Sequence, residues 1–131
     1  MLTRRHIRVK VLQSTYAFFQ SEHQDLDKQE KFLLYSMDQM HDLYVLLLQL
    51  MVEVKDHAEN FLQKSQQKHL ATDQEKNPNR TFVDNKVIQL IESNPALAEI
   101  LKNKKLNYWQ NENEYINIIF NSLKEQDFYQ E

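Results

Sequence analysis

The apolar residues between Leu33 and Phe61 recur at alternating spacings of four and three: Leu33, Met37, Met40, Tyr44, Leu47, Met51, Val54, Ala58 and Phe61. This is the seam of a long α-helix packed on other helices. Inside it, every position from Leu43 to Val52 is apolar except Gln49. Such a segment is expected to be buried on all sides. It is far shorter than the ~20 apolar residues that span a bilayer. Asp25 stands where it can cap this helix, which is expected over about 27–69. At ~1.5 Å per residue it would reach about 64 Å, against a diameter of roughly 36 Å for a compact domain of this size. The helix should therefore break, or rest its surplus on something outside this chain, such as a second copy.

The remaining elements fall on either side of this rod. Thr3 can cap a first helix running to about Gln20, in which Ile7, Val11, Leu12, Phe18 and Phe19 share a broad face with Thr15. Arg4 and Arg8 project onto the middle of that face and are expected to overhang the core. Residues 63–81 are polar, with Asn77-Pro78-Asn79 as a breaker. Asp84 is the expected cap of a short helix bearing Val87, Leu90 and Ile91. Asn94-Pro95 starts the next, with Leu97, Ile100 and Leu101. Asn111 and Glu114 have capping-box spacing and should open a last helix with Ile116, Ile119, Phe120 and Leu123 on one face. The expected fold is all-α, a helical bundle around one long central helix, forming a single domain over residues 1–131. Phe128 and Tyr129 lie close to the last residue without a polar tail, so the domain is expected to be the N-terminal part of a longer protein.

Composition supports this and narrows the chemistry. There is no Gly, so a P-loop, a dinucleotide fingerprint and a nucleophile elbow are excluded. Tight hairpin turns also favour Gly, which argues against a β fold. There is no Cys, hence no disulfide framework or thiolate metal site. Asp38-x-x-His41 and Glu53-x-x-x-His57 place carboxylate and imidazole on one helix face, but no matching ligands recur elsewhere. No metal, cofactor or catalytic constellation is expected, and the chain is not expected to be an enzyme.

Charge is uneven. The formal net charge is −3, yet residues 1–21 contain Arg4, Arg5, Arg8 and Lys10 and no acid. Guanidinium groups grip phosphates bidentately, so an acid-free basic helix is a footprint for nucleic acid. Two plainer readings compete. One is a solvated helix end paired with the acidic remainder. The other is an Arg-rich transit peptide, which the scarcity of Ser and the large apolar residues oppose. Lys102, Lys104 and Lys105 beside Tyr108 and Trp109 form a second basic and aromatic cluster. A lone Trp near a helix start is more often a packing anchor.

Residues 4–17, RRHIRVKVLQSTYA, resemble the first helix of the NusB family of transcription antitermination factors. Arg4, Arg5 and Arg8 match its arginines, and Gln13 and Tyr16 match its Gln and Tyr. His6 stands where the family often has another arginine, Val9 where an acid is usual, and Thr15 where Leu is common. The close match covers about 18 residues, and the 77–85 stretch NPNRTFVDN is similar to a longer form of the family. The family's Gly-containing C-terminal signature is absent, as it must be in a chain without Gly. The resemblance implies a cytoplasmic, non-enzymatic helical protein that binds boxA-type RNA together with NusE, a small-subunit ribosomal protein. It implies a role with RNA polymerase in read-through of ribosomal RNA operons. The RNA contacts it implies are Arg4, Arg5 and Arg8, with His6 as a weaker cation and Tyr16 as a contact to RNA or partner; Lys10 is added on charge alone. The rival expectation is a helical interaction or dimerisation module that needs no nucleic acid.

Overall fold

The computed structural model describes residues 3–21, 25–69, 72–126 and 129. Among these there are six α-helices, one 3-10 turn and no strand: α1 (Arg4–Gln20), α2 (Leu26–Gln66), α3 (Asp73–Lys76), α4 (Lys86–Glu92), α5 (Pro95–Lys104), the turn Tyr108–Asn111, and α6 (Asn113–Lys124). The all-α expectation holds. Among the described residues, no helix is long and apolar enough to cross a membrane. The backbone clusters into two compact units, Met1–Val45 and Leu46–Glu131.

The first unit is an antiparallel helix pair. The later part of α1 shares a groove with Leu26 and Leu33 of α2, while Arg5 and Val9 near its start lie beside Met40. Asp25 caps α2, its Oδ1 accepting from the Lys28 amide at 3.1 Å. Only Ser14 and Val45 are buried among the described residues of this unit. The packed line of α1 is Ser14, flanked by half-buried Lys10 and Phe18, about a quarter-turn from the face expected from sequence. Leu12 and Phe19, placed in the core by that expectation, are 71% and 72% exposed. The reason is that α1 carries apolar residues around its whole circumference, so the pattern names no single face. The small Ser14 side chain admits close approach to α2.

The second unit holds the core. Val54, Ala58 and Leu62 of α2 pack with Val83 and with Ile116 and Phe120 of α6. Phe120 is 1% exposed and meets Phe61, His57 and Tyr129 edge-on, with ring centroids 5.2–6.1 Å apart. Lys55 is buried and bridges Asp56 at 2.8 Å and Glu92 of α4 at 2.9 Å. Burial alone would push its ammonium down, but the hydrogen bonds to the two carboxylates outweigh it and hold the group above its usual range.

Helix α2 is unbroken over Leu26–Gln66; of two expectations about its packing, one holds in part and one fails. The 4-3 seam is covered only in part: its Val54 and Ala58 are buried, with Leu62 and Ser65 beside them, whereas its Tyr44, Leu47 and Met51 are 42–52% exposed. At ~100° per residue these positions share one side of the helix, and their burial differs because Val83, Ile116 and Phe120 stand opposite Val54, Ala58 and Leu62. Nor is Leu43–Val52 covered all round. Val45 is 2% exposed while Leu43 is 56% exposed, since the short helices present cover only part of the circumference.

Local chemistry decides the other boundaries. Asn85, not Asp84, caps α4 by accepting from the Val87 amide at 2.9 Å, because Asp84 is engaged by Arg80 at 3.2 Å. Asn94 caps α5 with Pro95 in its first turn, as its sequence suggests. The expected Asn111–Glu114 box does not form. The 3-10 turn occupies Tyr108–Asn111, so α6 begins at Asn113 behind Glu112, which makes no side-chain cap. Within the polar 63–81 stretch, Thr72 and Glu75 form a box that opens α3. Lys68 lies 2.7 Å from Glu75 and, with the Thr72 bonds, lowers its carboxyl to about 2.

Candidate nucleic-acid interface

Thr3 fixes where α1 begins. Its Oγ1 accepts from the His6 amide at 3.4 Å, and its own amide donates to His6 Nδ1 at 3.3 Å. This is a capping box in which His replaces the usual Glu or Gln. From that start, α1 carries Arg4, Arg5, His6 and Arg8 exposed and Lys10 half-buried. Among the described residues, Arg4, Arg5, Arg8 and Lys10 have no ion-pair partner.

The structure brings the cations together on two neighbouring depressions. One is lined by Arg5, Arg8, Val9 and Leu12. The other is lined by Arg5, His6, Val9, Lys10, Gln13 and Met40. Arg4 lines neither. Tyr16 is 65% exposed and stands one turn beyond Leu12. Positions 5, 9, 12, 16 and 19 form a continuous stripe at helical spacing, opposite Ser14. The stripe runs from a cationic end to an apolar one: Val9 is 47%, Leu12 71% and Phe19 72% exposed.

Leu12 and Phe19 are the surface residues that sequence reasoning assigned to the core. Their 12-16-19 spacing with Tyr16 is the signal in the sequence for this outward stripe. The capping role of His6 was likewise legible as Thr3-x-x-His6.

The second basic cluster divides. Trp109 Nε1 donates to the Leu46 carbonyl at 2.8 Å, which makes the indole a packing anchor. Lys102 and Lys104 occupy the last turn of α5, where cations suit the helix dipole. Lys105 adopts the left-handed conformation with φ 53°, letting the Leu106 amide close on the Leu101 carbonyl at 3.0 Å. Tyr108 alone of the aromatics there is well exposed.

The two carboxylate–histidine spacings build nothing larger. His41 Nδ1 lies 3.9 Å from Asp42, and Glu53 accepts from Gln49. His57 packs on Phe120, and burial, then Lys64 and Lys124, push its imidazole down. No group of three or more metal-ligating side chains occurs among the described residues. A scan against protein-family models finds no match, and searches of curated proteins and of solved structures return no significant similarity.

Proposed function

We propose that this chain binds single-stranded RNA through the start of α1 and acts as an antitermination factor of the NusB type. The carrying observation is the unpaired array of Arg4, Arg5 and Arg8, exposed on an acid-free helix and continuous with an exposed apolar stripe. Arginine forks and the Lys10 ammonium meet phosphates. Tyr16 offers a ring on which a base can stack, or a contact for a protein partner. The likeness of residues 4–17 to the first NusB helix supplies the biological reading. The RNA is then of boxA type, the partner is NusE within the RNA polymerase antitermination complex, and the work is read-through of ribosomal RNA operons in the cytoplasm.

If four cations contact one strand, log affinity should fall with log salt at a slope of about −2.8, at ~−0.7 per contact. The Arg4/Arg5/Arg8 triple Ala variant should flatten the slope to about −0.7 and weaken binding roughly fifty-fold near 0.15 M salt. The measurement is fluorescence anisotropy on a boxA-like RNA, with and without the partner protein. Equal affinity and equal slope for variant and parent would overturn the reading.

A second reading rests on a different observation. In the first unit Phe32, Leu34 and Tyr35 of α2 are 56–60% exposed, more large apolar surface than a lone helix pair needs. A helical interaction or dimerisation module would cover it without RNA. Sedimentation across a concentration series tests this, and a strict monomer that binds RNA would remove it.

A further inference from the structure

We infer that a second copy of this chain docks in the open groove between α1 and α2, groove to groove and antiparallel, closing a four-helix bundle. The inference rests on the second reading above, self-association of the first unit, and names its surface. The groove is a cavity of about 380 Å³ whose apolar lining is Val11, Phe18 and Phe19 of α1 and Leu26 and Leu33 of α2. Phe19 and Leu26 are 72% and 69% exposed there. The 17 residues of α1 extend ~25 Å, and two helices side by side are ~20 Å across. This face therefore amounts to roughly 500 Å² per copy, or ~1,000 Å² for two, the size at which specific association begins.

Charge chooses the occupant. On α1 the groove side continues back from Phe18 through Thr15, Val11, Arg8 and Arg4, at helical spacings of three and four. On α2 the groove carries Glu30, with Asp27 three residues earlier on the same side. The start of α1 lies beside Met40 and its end beside Leu26, so the groove is basic at one end and acidic at the other. Among the described residues, Arg4, Arg8, Asp27 and Glu30 make no ion pair within the chain. A two-fold axis through the middle of such a groove sets Arg8 and Arg4 of one copy against Glu30 and Asp27 of the other, and the same pairs recur at the far end. The groove is thus its own complement in charge as well as in apolar character. Arginine suits such pairs, because its planar fork meets a carboxylate bidentately. A nucleic-acid strand laid along the groove would suit the basic end alone and be repelled at the acidic one.

Exchanging the charges tests the pairs. Sedimentation equilibrium of the whole chain without RNA, at about 0.1 M salt where surface charges still act, compares wild type with Arg8→Glu, Glu30→Arg and the double variant. Wild type should form a dimer. Each single reversal sets like charges together at both ends of the bundle and should weaken dimerisation at least about ten-fold. The double variant, in which the two charges have changed places, should return to within about three-fold of wild type. Lys31→Glu, on the side of α2 away from Leu33, should stay within about two-fold. Circular dichroism on the same samples checks the helices; should one reversal unfold the chain, recovery in the double variant still reports the pair. A dimer indifferent to both reversals would overturn the groove as its interface while keeping self-association. A wild-type monomer across the concentration series would overturn both and leave the groove to a different partner.

Discussion

The two units of this chain use the same kind of residue for opposite ends. Leu46–Glu131 encloses one set of aromatic and branched side chains, with Phe120, Ile116 and Val54 at most 4% exposed, while Val87, Leu90, Tyr108, Tyr115 and Ile118 remain more than half exposed. In Met1–Val45, residues as large as Phe19, Tyr16, Leu12 and Phe32 stand more than half exposed, and the side chain packed from α1 is the small Ser14. Hydrophobicity alone therefore does not tell core from surface here. What separates them is whether a second and third element stand nearby to cover the helix. The second unit has α6 and Val83 packed on its part of α2, with Glu92 of α4 reaching Lys55, whereas the first has one helix against another.

The contrast is most easily broken by charge. Ala58 is 0% exposed and Met51 is 42% exposed, although both lie on the seam read from sequence. Ala58→Asp should cost several kcal/mol in chemical denaturation, because it buries an unpaired carboxylate. Met51→Asp should cost less than about 1 kcal/mol. Equal losses would mean that Met51 is covered as Ala58 is.

Truncation gives the next largest difference. Phe120→Ala should lose about 3–5 kcal/mol by leaving a cavity. Phe19→Ala should change stability by no more than about 0.5 kcal/mol and show its effect, if α1 is the interface, in partner or RNA binding. A stability loss at Phe19 comparable to that at Phe120 would place α1's outward stripe inside a core.

Lys105 sharpens the comparison on a smaller scale. It is the only described non-glycine residue with positive φ, a conformation that costs a residue with a Cβ about 1 kcal/mol or more. Lys105→Gly should therefore raise stability by about 1 kcal/mol in denaturant titrations. It should leave the RNA salt slope unchanged, since the cations proposed to meet phosphate are all on α1. A flatter slope would move part of the interface into the second unit.

The smallest effect belongs to α3. Glu75 is held near 2, against an ordinary 4.5, first by Lys68 and then by Thr72. A depressed carboxyl contributes its stability in full above about 4.5 and loses it as the pH falls toward about 2. A carboxyl ¹³C titration should show this midpoint, and Lys68→Ala should move it upward. An unmoved midpoint would mean the Lys68 contact at 2.7 Å contributes nothing.

By itself the sequence determined the helices and most of their ends. Thr3, Asp25 and Asn94-Pro95 cap through side chains within a few residues, so short-range chemistry is enough to read them. The absence of Gly removed whole classes of turn and site, and the acid-free run from Arg4 to Lys10 marked the candidate interface. Only the tertiary structure decided which side of each helix is covered. The packed face of α1 turned by about a quarter from its apolar pattern, and the seam of α2 is covered at Val54 and Ala58 but open at Met51. Asp84 lost its capping role to Asn85 because Arg80 claimed it. Burial depends on what stands opposite, and a helix with apolar residues all round carries no local mark of where its neighbour will be.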